Sequence, residues 1–319
     1  MAAQRPSELR LAMLGMVEGN GHPYSWSAIV NGYDREAMAE CPYPVIAEYL
    51  GEQPPENIGI PGVKVTHIWT DDPADAQSVA RASLIPNVVE NPEDVIGEVD
   101  AVCITTDIGH EHVDRARPFI EACLPVFIDK PLTDNEKDLR QFIQWYRRGK
   151  KILSSSCMRY AHELRDLKAQ MSGLGDVHLI TGITPKSWER YGIHALEGLY
   201  QLTGPGFVSV RNVGEKGRDT VLLKHQSGFD CVLWAYYEAH GSFGVYQVYG
   251  SEGSAGCKFS DTFPAFKAQL EAFVEFVRTG RYPFEPAQTF ELMRIIIGGI
   301  LSRERGGAEV RLDKIAPEG

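Results

Sequence analysis

Short apolar runs rich in β-branched residues alternate, over the first half of the chain, with segments whose apolar residues recur at helical spacing. The runs are "LRLAML", "VKVTHIW", "DAVCITT", "PVFIDKP" and "KILSSS", and the helical segments include "AQSVARAS", "HVDRARPFIEA" and "EKDLRQFIQWYRR". This alternation predicts βαβ units in a parallel sheet. Because the strands are nearly continuous apolar runs, we expect helices on both faces of that sheet.

The pattern changes at about residue 155. Runs such as "DVHLITGIT", "FVSVRNVG", "TVLLKHQ", "CVLWAYYEA" and "GVYQVYG" follow one another through glycine-bearing turns, which predicts an open, mostly antiparallel sheet. Two helices, "AFKAQLEAFVEFVRTG" and "QTFELMRIIIGGILSRE", are predicted to close the chain, the first ending at Gly280. We therefore expect two domains, 1–156 and 157–319, of which the second is α+β.

An irregular segment lies between the first predicted helix and the second strand. "REAMAECPYPVIAEYLGEQPPENIGIPG" contains five prolines and reads as an insertion. A short helix is expected around Val45 to Leu50, followed by a loop that resembles a lid.

Composition and charge indicate which kinds of partner the protein can bind. The chain has 319 residues, of which 43% are hydrophobic and 10% aromatic, enough for ordinary globular cores. Its formal charge of -11 argues against a nucleic-acid or anionic-membrane surface and favours a small-molecule partner. Six cysteines without a C-x-x-C pair, and a start without an apolar signal segment, indicate a cytoplasmic protein.

The first strand runs into a glycine-bearing turn, "LAMLGMVEGNGHPYSWSAIVNG". Its glycines are Gly15, Gly19 and Gly21, whereas a dinucleotide fingerprint requires G-x-G-x-x-G. Alone, this turn leaves nucleotide binding and a simple tight turn equally open. His22 and Pro23 begin a helix whose backbone N–H groups can still bind an anion.

A second motif, "PVFIDKPLT", describes a buried strand that presents an acid, a lysine and a proline at the carboxyl edge of the sheet. Ligands of open α/β folds bind at this edge. With the preceding "TTDIGHEHVDRARPFIEACL" and the later "YGIHALEGLYQLTGPG", the chain resembles the Gfo/Idh/MocA family of NAD(P)-dependent sugar and polyol oxidoreductases. The resemblance implies a Rossmann-like first domain that binds NAD and a second domain that binds substrate and supports oligomerisation.

The resemblance also implies residue roles. Its Glu-Lys-Pro signature corresponds to Asp129, Lys130 and Pro131, and its catalytic histidine to His194. Lys130 would polarise the reacting oxygen, and His194 would exchange the proton at cellular pH. Toward the cofactor it implies Gly15, Gly19, Gly21, His22, Asp71, Asp72, Thr105, Thr106, His112, Asp129 and Lys130.

Asp71 and Asp72 follow the second strand, where a carboxylate can accept hydrogen bonds from both ribose hydroxyls and repel a 2'-phosphate. NAD is therefore expected over NADP. Asp72 precedes Pro73 and is equally suited to cap a helix.

Several side chains are candidates for substrate binding, with packing between domains as the alternative: Arg159, Tyr160, Trp188, Arg190, Tyr191 and His194. Arg190 stands where the family often has an aspartate, one helical turn before the histidine. We expect its charge to lower the pKa of His194.

The expected reaction is reversible oxidation of a secondary hydroxyl on a sugar, an inositol or a sugar derivative. A non-catalytic ligand sensor and an NAD-assisted lyase or glycosidase are the alternatives, which fold analogy does not separate. "HEH" at 110–112 lacks a third ligand, so no metal is expected. Large side chains on both faces of "CVLWAYYEAHG" predict a homo-oligomer, a dimer or tetramer, formed through an exposed sheet face.

Overall fold

Six parallel strands form the first sheet of the protein, whose structure, a computed structural model, describes residues 8–317. Their order is β3-β2-β1-β4-β5-β6, which confirms the predicted doubly wound sheet. The strands are β1 (Leu9–Leu14), β2 (Val63–Trp69), β3 (Asn87–Val88), β4 (Ala101–Ile104), β5 (Val126–Ile128) and β6 (Ile152–Leu153).

Ten α-helices occur in the described part of the chain. Burial of one helical face explains most of them: in the sixth, Leu139, Phe142 and Ile143 are buried while Arg140 is exposed. The helices are α1 (His22–Asn31), α2 (Arg35–Ala39), α3 (Pro44–Gly51), α4 (Pro73–Ala82), α5 (His112–Glu121), α6 (Glu136–Arg147), α7 (His162–Gln170), α8 (Trp188–Thr203), α9 (Thr262–Thr279) and α10 (Pro286–Glu304).

The second sheet has seven strands in the order β12-β11-β7-β10-β9-β8-β13. All neighbours are antiparallel except β7 and β10, so the predicted mostly antiparallel sheet is confirmed. The strands are β7 (Val177–Pro185), β8 (Phe207–Asn212), β9 (Arg218–His225), β10 (Asp230–Tyr236), β11 (Val245–Gly250), β12 (Ser254–Lys258) and β13 (Val310–Arg311). No helix of the described chain is long and apolar enough to cross a membrane.

The two closing helices confirm the prediction, and Gly280 ends α9 in the left-handed conformation at φ 71°. Both helices also return to the first half of the chain. α9 packs against α1 and α3, and α10 packs against α6 as well as α8. The boundary proposed near Ser156 stays a prediction, because residues 157–319 include two helices that pack against helices of the first half of the chain.

The predicted insertion contains the predicted helix, α3, preceded by the short helix α2. Ile46 and Leu50 are buried on one face of α3, so the helix is anchored in the core by residues one turn apart. The Tyr49 hydroxyl contacts Ser25 Oγ on α1. The insertion is therefore a fixed wall beside the start of α1.

The two faces of the second sheet differ in exposure. On β10, Cys231 and Leu233 are fully buried beneath the helices, whereas Val232 and Trp234 on the other face are half-buried. Leu222, which pairs with Val232 across the strands, is 40% exposed. A second apolar face of this kind is typical of a subunit interface.

We predict that the protein self-associates through this face, since association would remove it from water. Light scattering at micromolar concentrations should give a mass well above the 35.5 kDa of one chain. Trp234→Glu should lower that mass, whereas Leu84→Asp, at an exposed position of the first domain, should not. A mass near 35.5 kDa throughout would contradict the prediction.

Candidate active site

A cavity of about 390 Å³ lies where the glycine-bearing turn, α3, α8 and α9 meet. It brings together residues from both predicted domains. Its polar lining comes from Asn20, His22, Lys186, Tyr191, His194 and His240, together with the backbone at Gly19 and Gly21.

The first and third glycines of the turn are each required by a close neighbour, and the neighbours of the two glycines differ. Gly15 has φ +94°, and a Cβ there would lie 2.7 Å from Thr106 Cγ2 at the end of β4. At Gly21 a Cβ would lie 2.6 Å from both Tyr43 and Ile46 of the insertion. Gly21 is thus required by the packing of α3, which explains why the glycine spacing departs from the dinucleotide fingerprint.

The acid of the Asp-Lys-Pro motif bonds to the start of α1. Asp129 is fully buried, and its Oδ2 lies 2.5 Å from His22 Nδ1 and accepts a hydrogen bond from Asn20 Nδ2 at 2.9 Å. Burial alone would raise the pKa of Asp129, but the charges of His22 and Lys130 hold it below its ordinary value. His22 also stacks on Trp26, with ring centroids 4.6 Å apart. The predicted cofactor ligands His22 and Asp129 therefore contact each other.

Lys130 is almost completely buried behind the cavity. Its Nζ lies 3.3 Å from Asp107 Oδ2 and 5.0 Å from the ring centroid of Tyr191, which lines the cavity. Burial would lower the pKa of Lys130, but the carboxylates of Asp129 and Asp107 raise it above the ordinary lysine value. The ammonium therefore stays protonated.

Arg190 forms an ion pair with Asp107, a residue that the sequence analysis did not identify. Arg190 Nη2 lies 2.6 Å from Asp107 Oδ1, and its Nε lies 3.3 Å from Oδ2. Burial would raise the pKa of Asp107, but Lys130 and Arg190 hold it far below its ordinary value. The position of Asp107 directly after "ITT", at the same sheet edge as Asp129, was the available signal.

His194 lines the cavity at 5% exposure, and its Nδ1 lies 2.7 Å from Ser156 Oγ. Burial, followed by the charge of Lys130, lowers the pKa of His194 well below its ordinary value. The expected direction of this shift agrees with the structure. The causes differ from the expected one, because burial and the charges of Lys130 and His22, rather than that of Arg190, lower this pKa.

Lys186 is a second functional candidate that the sequence analysis missed. Its Nζ donates to Tyr191 Oη at 2.7 Å and to the Gly19 carbonyl at 3.4 Å, so it joins α8 to the glycine-bearing turn. Lys186 has φ +60°, a conformation that is uncommon outside glycine. Nothing in its sequence context distinguishes it from an ordinary loop lysine.

Four predicted substrate residues do not line the cavity, and one of them is Arg190, which pairs with Asp107 as described above. Trp188 is fully buried and donates from Nε1 to the Ile296 carbonyl at 3.0 Å, so it packs α8 against α10. Arg159 pairs with Glu197 at 2.5 Å and lies 3.9 Å from the Phe284 ring centroid. Tyr160, in the neighbouring 3-10 turn, is also absent from the described lining. The substrate roles of all four stay predictions.

The two acids after β2 have different partners. Asp72 caps α4 by accepting from the Ala74 N–H at 2.9 Å. Asp71 instead forms a two-pronged ion pair with Arg115, with distances of 2.8 and 3.2 Å. The helix-cap alternative is thus realised at Asp72, ribose binding by Asp71 stays a prediction, and Arg115 is a partner of Asp71 that the sequence did not indicate.

The remaining predicted cofactor residues hold the ends of β4 and β5 together. Thr105 Oγ1 donates to the Gly15 carbonyl at 2.5 Å. His112 is fully buried, with Nε2 at 2.9 Å from the Thr106 carbonyl and Nδ1 at 3.2 Å from the Leu132 carbonyl. Burial lowers the pKa of His112, and because a neutral imidazole donates from one nitrogen only, the ring donates to one of these two carbonyls at a time.

Comparison with known proteins shows the fold and matches part of the chain to a protein family. Residues 46–156 match the GFO_IDH_MocA family, described as an oxidoreductase family with an NAD-binding Rossmann fold. The match begins after the altered glycine turn. No curated protein matches the chain in sequence.

Solved structures of similar fold include inositol dehydrogenases. A scyllo-inositol dehydrogenase from Lactobacillus casei, with bound NAD(H) and scyllo-inositol, has a TM-score of 0.74 at 15% identity and covers 97% of this chain and 100% of its own. A myo-inositol 2-dehydrogenase from Lactobacillus plantarum has a TM-score of 0.74 at 17% identity, covering 96% and 99%. A probable dehydrogenase from Thermotoga maritima has 0.73 at 16%, covering 96% and 100%.

The Asp71–Arg115 pair generates a prediction about cofactor choice. We expect tighter binding of NAD(H) than of NADP(H), because the exposed carboxylate of Asp71 disfavours a 2'-phosphate. Asp71→Ser should reduce the ratio of the two dissociation constants by about tenfold. Fluorescence titration with NADH and NADPH measures it.

Asp72→Ser is the matched control, because serine also caps helices and the ratio should then stay unchanged. Arg115→Ala should increase the preference for NADH, since it removes the cation that neutralises Asp71. Tighter NADPH binding by the unmodified protein would refute the assignment of Asp71.

Proposed function

We propose that the protein, whose residues 46–156 match a family of NAD-binding oxidoreductases, reversibly oxidises a secondary hydroxyl of a sugar, an inositol or a sugar derivative. The observation that carries the proposal is the meeting of His194 and Tyr191 with the glycine-bearing turn in one cavity, with Lys130 directly behind Tyr191. The inositol dehydrogenases of the same fold support the substrate class.

The residues at the sheet edge fit the cofactor of this family. The turn at Gly19 and Gly21 lines the cavity at the start of α1. The His22 N–H donates to Asn20 Oδ1 and Pro23 has no N–H, so the positive end of the helix dipole supplies the main attraction for a pyrophosphate there. The Thr106 hydroxyl is buried there without a partner in the described structure. Asp71 keeps 42% of its side chain exposed and has lone pairs left for ribose hydroxyls. When bound, NAD supplies the acceptor for the hydride of the alcohol carbon.

Lys130 provides the positive charge that favours a developing alkoxide. Asp107 and Asp129 keep it protonated, and Asp107 fixes its Nζ at 3.3 Å. The Tyr191 ring lines the cavity and lies 5.0 Å from this ammonium, whereas Lys130 itself is absent from the described lining.

His194 accepts the hydroxyl proton in this proposal. Its low pKa keeps the ring neutral at cellular pH, so a proton-accepting form is always present. The Ser156 hydroxyl at Nδ1 fixes the orientation of the ring.

The function is tested by incubating the protein with a panel of sugars and inositols and NAD or NADP, following both NADH and product. Net NADH formation with an oxidised product is the expected result. Product without NADH would instead indicate the lyase or glycosidase. Saturable binding of a sugar without turnover would indicate the sensor.

The pH profile tests the role of His194. Protonation of the ring removes the proton acceptor, so the oxidation rate should fall on an acidic limb with an apparent pKa below about 6.5. His194→Asn should abolish the limb and lower turnover by about 100-fold or more. His178→Asn, at an exposed position, is the control. Near-normal turnover of His194→Asn with the same profile would make the histidine structural and Tyr191 the next candidate.

Lys130→Met should lower turnover by at least about 100-fold, because the charge that stabilises the alkoxide is lost. NAD binding should change little, since this charge acts on the substrate oxygen. Lys137→Met, at an exposed lysine of α6, should leave both quantities unchanged. Thermal melting of each variant separates a folding defect from a catalytic one, and full turnover by a folded Lys130→Met would exclude the proposed role.

A further inference from the structure

One part of the cavity lining is mainly apolar. His22, Lys186, Tyr191 and His194 supply the donors and acceptors described above, and Phe266 and Phe243 lie against His22 and His194. The insertion supplies Tyr43, Val45, Ile46 and Tyr49, which form the apolar end of the cavity, with the Ser25 hydroxyl beside Tyr49. A ligand that fills the whole cavity meets hydrogen-bonding groups from the first set and mostly carbon surface from the second.

The apolar end is built largely by the insertion. α3 is held in place by the buried side chains of Ile46 and Leu50 and by the contact of Tyr49 with Ser25. Gly21 allows the insertion to pack directly against the glycine-bearing turn. The wall is therefore fixed beside the site and does not depend on closure of a loop.

Val45 shows that this wall is not fully covered by the protein itself. It lines the cavity and is 60% exposed, the most exposed aliphatic side chain among the described large hydrophobic residues. Other exposed hydrophobic residues, such as Val213, lie away from the cavity. Covering Val45 and its aromatic neighbours would remove apolar surface from water.

A bare polyol fits this lining poorly. It carries hydroxyls around its whole circumference, and hydroxyls pressed against the apolar end would lose hydrogen bonds to water without replacement. An aromatic or alkyl substituent at that end has no such cost, and aromatic rings pack favourably against Tyr and Phe side chains.

We propose that the substrate is a sugar or polyol joined to an apolar, preferably aromatic, group, and that α3 binds this group while the hydroxyl that reacts faces Tyr191 and His194. This inference rests on the proposed oxidation for the polar end of the ligand. The apolar subsite itself rests on the lining of the cavity.

Calorimetric titration of the intact protein with methyl and phenyl β-glycosides of a panel of hexoses tests the subsite. The phenyl compounds should bind about tenfold or more tightly than the methyl compounds with the same sugar. Val45→Asp places a charge on the apolar wall at an exposed position and should remove most of this preference. Val213→Asp, equally exposed and outside the cavity, should preserve it.

NADH formation measured on the same compounds separates the two proposals. Phenyl preference in binding without NADH would refute the oxidation and keep the subsite. Oxidation of unsubstituted sugars with no phenyl preference would refute the subsite and keep the oxidation. The subsite would be overturned by equal affinities for the two series or by no measurable binding of either. Displacement of the phenyl glycosides by NADH would also overturn it, because the wall would then bind the nicotinamide ring.

Discussion

The arrangement of the site depends on one buried carboxylate. Asp107 is 1% exposed and lies between the Lys130 ammonium and the Arg190 guanidinium. A buried charge without a partner is strongly destabilising, by about 3–5 kcal/mol when a pair is broken. The three groups therefore require each other, and they fix the end of β4, the end of β5 and the first turn of α8 relative to one another. The positions of Tyr191 and His194, later in the same helix, follow from this anchoring.

The same triad explains an unusual feature of the sequence. An arginine stands where the family that the sequence resembles often has an aspartate. In the folded protein a negative charge is supplied by Asp107, in the loop after β4, so the region around Lys130 remains balanced. A sequence comparison at position 190 alone does not reveal this charge compensation, because Asp107 is 83 positions away from Arg190.

Much of the fold could be predicted from the sequence because its signals are local. Apolar strand runs, helical spacing and a C-terminal glycine cap act over a few residues, and they located both sheets and the closing helices. β12, "SAGCK", had too few apolar residues to give such a signal. The site was predicted in part, since the Asp-Lys-Pro motif and His194 are contiguous patterns. The choice between packing and substrate contact for Trp188 could not be made from the sequence, because the space that its side chain fills is cleared by Gly192 and Gly299, the second more than 100 residues away. Lys186 and Arg115 could not be identified from the sequence, because Gly19 and Asp71, which they contact, are likewise distant in sequence.

The helices α9 and α10 pack against helices of the first half of the chain, so the protein does not divide cleanly into two domains at residue 156. α9 packs on α1 and α3, and in α10 Met293 Sδ lies 3.4 Å from the Thr133 N–H just after the Asp-Lys-Pro motif. The last 58 residues are therefore not an appendage of the second sheet alone. A chimera that exchanged all residues after 156 would replace α9 and α10. The helices α1, α3 and α6 would then lose the side chains that pack against them. Nor is the stretch from α7 to β12 independent, because the Arg190–Asp107 ion pair joins α8 to the edge of the first sheet.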